Sequence, residues 1–119
     1  MKWGHIMDVD IDKRLLYWVL MFVLERHDDP VDHFLKDILK HDGGLGGDPG
    51  WEMEHVPSSD GPGVYRIWAD PEMSGIEPAE AFYSMAIVTQ ALRESLLALQ
   101  VVHPEKNREI QKTLNQYNL

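Results

Sequence analysis

Ten consecutive apolar residues, LLYWVLMFVL at 15–24, constrain this chain more than any other feature. Lys13-Arg14 closes the run in front and Glu25-Arg26 closes it behind. A membrane-spanning helix needs about 20 such residues, so the run is too short to cross a bilayer. It shows no alternation and no polar stripe, and a helix that is apolar all round is one surrounded by protein. The run therefore predicts a central buried helix over 12–26, with Asp10 or Asp12 at its N-cap and its end near His27. A buried strand is the rival, because periodicity does not separate the two in a short apolar run. Leu and Met favour the helix.

The remaining chain supplies partners for that helix. Residues 1–9 read as weakly structured or as a short edge strand. Pro30 disfavours helix just before itself and can start the next one. Val31, Phe34, Leu35, Ile38 and Leu39 then follow helical spacing, and Gly43-Gly44 closes a second helix expected over 30–41. The two helices are expected to form a short-looped hairpin. DGGLGGDPG, residues 42–50, reads as a flexible connection. It is not a phosphate loop: the dinucleotide pattern begun at Gly44 needs a glycine where Pro49 stands, and the loop carries Asp42 and Asp48 but no Lys.

Residues 51–56 and 64–69 read as two strands of a hairpin joined by the turn-rich PSSDGPG. In-register pairing sets Glu54 near Arg66 and Glu52 near Trp68. Trp51, Met53, His55, Tyr65, Ile67 and Ala69 then share the face that packs on the helices. Glu52, Glu54, Val64, Arg66 and Trp68 share the other, exposed face. Residues 77–83 are open between a helix begun at Pro78 and a third strand at 81–83. Ser84 is the expected N-cap of a long helix over 84–102, with Met85, Val88, Leu92, Leu96 and Leu99 as its inner stripe. Pro104 starts a last short helix reaching 117, striped by Ile110, Leu114 and Tyr117. The expectation is a single domain over 1–119, of class α+β. It has a helical hairpin with a central buried helix, a small antiparallel sheet of two or three strands, and two C-terminal helices.

Charge narrows the function. The net charge is −9 over 119 residues. Residues 42–80 hold nine acids and one base, Arg66, whereas the flanking thirds are close to neutral. Direct binding to a nucleic-acid backbone requires positive charge and is not expected. A one-signed patch steers an oppositely charged partner, so a basic protein is the expected partner; the bland alternative is that the charge serves solubility. The absence of Cys excludes disulfides and a thiolate metal site. The opening MKWGHIMDVDI lacks the apolar core of a signal peptide, and a cytoplasmic location is expected.

Candidate chemistry is thin. His27, Asp28, Asp29, Asp32 and His33 cluster in seven residues, yet no two His lie four apart with an intervening Glu, as a helical zinc site requires. Solvated capping is the simpler reading. Glu52 and Glu54 share a strand face, as paired carboxylates for acid and base work would, but such pairs are commonly the wet side of a hairpin, and Arg66 opposite neutralises one of them. Ser58-Ser59-Asp60 and Ser84 sit in no nucleophile elbow. No catalytic residue, metal or cofactor is expected.

Phe82-Tyr83-Ser84, Ala91-Leu92-Arg93-Glu94, Leu97, His103-Pro104-Glu105, Ile110, Leu114, Tyr117 and Leu119 give the last third a strand, a capped helix, a His-Pro-Glu break and a closing helix. That ending resembles the C-terminal half of small bacterial immunity proteins of contact-dependent inhibition and related polymorphic toxin systems. A departure is Ile87, where a capping box from Ser84 would place Glu or Gln. The resemblance implies a non-enzymatic inhibitor that binds one cognate toxin domain, commonly a basic nuclease, and blocks its active site or an adjacent surface. A monomer in a 1:1 complex is expected, with no membrane and no direct nucleic-acid partner. A small acidic secretion chaperone is the alternative, and an enzyme using the carboxylates or His a further one. The partner surface is expected within 48–80. Trp68 is its anchor, ringed by Glu52, Glu54 and Arg66, and Asp48, Asp60, Asp70, Glu72, Glu77 and Glu80 supply its charge. A strand register shifted by one residue would instead turn Trp68 into the core.

Overall fold

Four antiparallel strands, in the spatial order β1-β2-β3-β4, make the platform on which the helices pack. They are β1 (Gly44–Gly47), β2 (Trp51–Ser58), β3 (Gly61–Ala69) and β4 (Glu80–Ser84). The computed structural model describes residues 2–25, 30–40 and 43–119. The helices are α1 (Arg14–Leu24), α2 (Leu35–Ile38), α3 (Pro71–Ser74), α4 (Met85–Val102) and α5 (Asn107–Gln116). The class is α+β, with more strands than the two or three expected.

Alternation builds the central hairpin. Trp51, Met53, Tyr65, Ile67 and Ala69 are buried on one face, and the register pairs Glu54 with Arg66 and Glu52 with Trp68, as the sequence predicts. The turn is tighter than expected, since β2 runs on to Ser58 and β3 begins at Gly61 with an irregularity between Val56 and Ser58. Residues 80–84 form β4, which resolves the ambiguity at 77–83 in favour of a strand.

The added strand is β1, in the stretch expected to be a flexible connection. Side-chain alternation cannot mark GLGG, because three of its four residues have no side chain. The close approach of β2 explains the glycines: a Cβ at Gly44 would stand 2.9 Å from Glu54 Cβ, and one at Gly46 would stand 2.9 Å from the Trp51 carbonyl oxygen. Residues 2–9 form no strand; a 3-10 turn spans Ile6–Asp8, and Arg14 holds this segment by donating to the carbonyls of Val9 (3.1 Å) and Met7 (3.0 Å).

α1 is the buried helix anticipated, entered through a 3-10 turn over Ile11–Lys13. Leu15, Leu16, Val19, Leu20, Val23 and Leu24 are buried, whereas Trp18, Met21 and Phe22 are half-buried, so one side reaches the surface. Its main helical neighbour is α4, not α2, and it also packs on β3. The predicted helical hairpin is therefore not formed. α2 has only four residues and lies on β1 and β2, because the chain turns back at once into β1: Gly43 donates to the Lys40 carbonyl (2.9 Å), and a Cβ there would meet the Asp37 carbonyl. Val31, Leu35 and Ile38 still bury as the helical spacing predicts.

Ser84 caps α4, accepting from Ile87 N–H (3.2 Å). Val88, Leu92, Leu96 and Leu99 form its buried stripe, with Met85 half-buried at its start. α4 is long and apolar enough to cross a membrane by length and composition, but that stripe packs on α1 and β3. Ile110 seats α5 in the core, and Tyr117 donates to Asp32 (3.1 Å).

Candidate functional site: the outer face of the sheet

With one face of the sheet against the helices, period-two alternation turns every second side chain outward. The register arranges these in rungs across the sheet. One rung runs Glu80, Trp68, Glu52, Gly46, and the next runs Phe82, Arg66, Glu54, Gly44. Five of the predicted partner-binding residues, Glu52, Glu54, Arg66, Trp68 and Glu80, thus lie together on one surface.

Arg66 is its centre. Its Nε donates to Glu54 Oε1 at 2.5 Å, Nη1 to Glu80 Oε2 at 3.0 Å, and Nη2 to Glu52 Oε1 at 3.4 Å. The guanidinium fork serves carboxylates from strands on both sides, geometry that a Lys point charge does not match. Its pKa is raised further, first by the hydrogen bond to Glu54, against a lowering by burial. The cluster keeps two net negative charges, since one cation faces three carboxylates.

Two aromatic residues flank the cluster. Trp68 is half-buried, neither the freely exposed anchor expected nor a core residue. Phe82 sits beside Arg66 on β4 and is 57% exposed. It was not among the predicted site residues. Its signal was the alternation of EAFYS, in which Ala81 and Tyr83 turn inward and Glu80, Phe82 and Ser84 turn outward.

The remaining predicted residues lie elsewhere. Asp70 N–H donates to the Gly50 carbonyl (2.9 Å), so the turn carrying exposed Asp48 adjoins the turn carrying Asp70 and exposed Glu72, beyond the Glu52–Trp68 end of the hairpin. The Asp70 side chain also caps α3, accepting from Glu72 N–H (3.0 Å). Glu77 is exposed in the connection before β4. Asp60 lies at the far tip of the hairpin, where its N–H donates to Ser58 Oγ (3.2 Å). Ser58 lies six residue steps along β2 from Glu52, roughly 20 Å, so the structure does not join Asp60 to the cluster.

Beside the cluster the sheet is low. Gly44 and Gly46 carry no side chains, and with Glu52, Glu54 and Arg66 they line a trench of about 180 Å³. Two other hollows lie off this face. One, about 280 Å³, is lined by Asp8, Asp10, Lys13, Tyr17 and Glu94 among others. In it buried Tyr17 donates to Glu94; burial first, then this bond, pushes the phenol pKa up, and the bond lowers that of Glu94. The other, about 770 Å³, runs along α4 past Met85, Arg93 and Leu97 to Leu119. His27, Asp28 and Asp29 of the histidine cluster lie outside the described residues. Of the rest, Asp32 accepts from Tyr117 and the His33 ring lies against Phe34.

Comparison with protein-family models, with curated proteins and with solved structures returns no match.

Proposed function

We propose that this protein is a cytoplasmic, non-enzymatic immunity protein that neutralises a cognate basic toxin domain by binding it 1:1 through the outer face of the sheet. One observation carries the reading: an exposed Phe82 and a half-buried Trp68 flank three glutamates gathered on Arg66. Aromatic residues surrounded by polar groups are the usual composition of an interface hot spot. Residual negative charge on the same surface favours encounter with a basic partner. The secretion-chaperone alternative draws on a different observation, the apolar outer side of α4, where Leu97, Val101 and Val102 are exposed.

Growth rescue tests the proposal. Candidate toxin domains drawn from the genes flanking this one are each expressed with the wild-type protein or with Phe82→Ala. Wild type should restore growth, and Phe82→Ala should fail while retaining its melting temperature. An acidic captured partner, or full rescue by Phe82→Ala, overturns the reading. A chaperone would instead be a dimer on gel filtration and would need Leu97 and Val101.

A further inference from the structure

We infer that the open edge of β1 docks a basic, extended segment of the partner, which adds to the sheet as a fifth strand. This rests on the outer-face reading above and specifies how the partner is held. β1 is an outer strand, paired only with β2 among the described strands. His55 N–H donates to the Gly43 carbonyl (2.7 Å), and antiparallel ladders alternate bonded with non-bonded pairs. The pairs of Leu45 with Met53 and Gly47 with Trp51 therefore bond inward. The N–H and C=O groups of Gly44 and Gly46 then point away from β2, toward the open edge. Such a row is a template for an added strand.

Charge selects the occupant. The outward side-chain positions of β1 are those same two glycines, so nothing on β1 stands between an added strand and Glu52 and Glu54. Two strand spacings, roughly 10 Å, separate the added backbone from β2. A Lys or Arg side chain lying in the trench and a facing glutamate span that distance together. The side chains of Glu52 and Glu54 are 48% and 46% exposed, so they remain open to a second cation beside Arg66. A second copy of this chain would set acidic faces side by side, which opposes self-pairing.

The probe is a peptide of about eight residues alternating Lys and Val, with its Glu–Val counterpart as control, added to the ¹⁵N-labelled chain. Amide exchange at Gly44 and Gly46 should slow about tenfold or more with the Lys–Val peptide. The amides of Leu45 and Gly47, already bonded to β2, should change little, and the Glu–Val peptide should have no effect. In the Glu52→Gln, Glu54→Gln protein the Lys–Val peptide should bind about tenfold more weakly. If the peptide shifts Trp68 and Phe82 but leaves Gly44 and Gly46 exchange unchanged, strand addition is overturned while the outer-face reading stands. Equal protection by both peptides overturns the charge selection. Protection that grows with protein concentration alone assigns the edge to a second copy, and no binding by the Lys–Val peptide removes the proposal altogether.

Discussion

Arg66 and Glu54 face each other across the β2–β3 ladder, with Nε 2.5 Å from Oε1, and the same guanidinium reaches Glu80 on the strand beyond. Removing it leaves three carboxylates sharing a face with no cation. The glutamate side chains are nearly half exposed, so solvent screens these pairs and each contributes little. Arg66→Met should cost about 1 kcal/mol in dilute buffer. Most of that loss should vanish in 1 M salt, where screening acts within about 3 Å. Urea midpoints at the two salt concentrations measure it; a loss independent of salt would assign Arg66 a packing role instead.

Leu16 and Leu20 are both 0% exposed, in contact with the core that joins α1 to α4 and the sheet. Leu16→Ala or Leu20→Ala should destabilise by about 2–5 kcal/mol, through lost transfer energy and the cavity left behind. Native-like melting of both variants would refute the central position of α1.

This core and the hairpin register were legible in the sequence because their signal lies in side chains. A run of ten apolar residues has to place most of them inside, and the two strands carry bulky residues on alternate positions about a turn-rich segment. Where side chains are missing or the chain reverses early, the fold departs from the sequence pattern. β1 is held by its backbone and by the closeness of Glu54 and Trp51, neither of which leaves a pattern in GLGG. The length of α2 depends on the turn back at Gly43, a tertiary fact that outweighs the helical spacing of 31–39. Phe82 is absent from the expected partner surface because its exposure depends on which face of β4 meets the helices.

Buried phenols make stability pH-dependent. Burial raises the pKa of Tyr17, Tyr65 and Tyr83 above the ordinary 10.0. The folded chain thus holds these protons after the unfolded chain has lost them. Their stabilisation is complete below pH 10 and falls as pH rises from there toward the raised folded-state values. In that window each tyrosine should remove up to about 1.4 kcal/mol per pH unit. Guanidinium unfolding at several pH values above 9 measures the slope, and Tyr17→Phe should reduce it. A stability flat to pH 11 would show that the phenols ionise freely in the fold.

Phe82 and Trp68 are distinguished by burial. Phe82→Ala removes a ring already more than half in water, so its stability cost should stay within about 0.5 kcal/mol. Its cost in partner binding should be about 2 kcal/mol or more. Trp68→Ala should lower stability and affinity alike, since its ring is half-buried between Glu52 and Glu80. Paired thermal melts and calorimetric titrations read the two effects. A Phe82→Ala protein that binds normally would move the contact off this face.

The charged rim should act on association rate. Asp48, Glu72 and Glu77 are exposed, and no hydrogen bond or ion pair ties their carboxylates among the described residues. Asp70 is excluded from the test because reversing it would remove the cap of α3. Asp48→Lys, Glu72→Lys and Glu77→Lys together change the net charge from −9 to −3. Surface reversals of this kind should shift stability by less than about 0.5 kcal/mol each. Long-range attraction to a basic partner should weaken, slowing association about tenfold or more at low salt and flattening its dependence on ionic strength. Dissociation should change far less, because the aromatic contacts on the sheet are untouched. Stopped-flow association at 20 and 200 mM salt reads this directly, and an unchanged rate and salt slope in the triple variant would end the case for electrostatic steering by this end of the sheet.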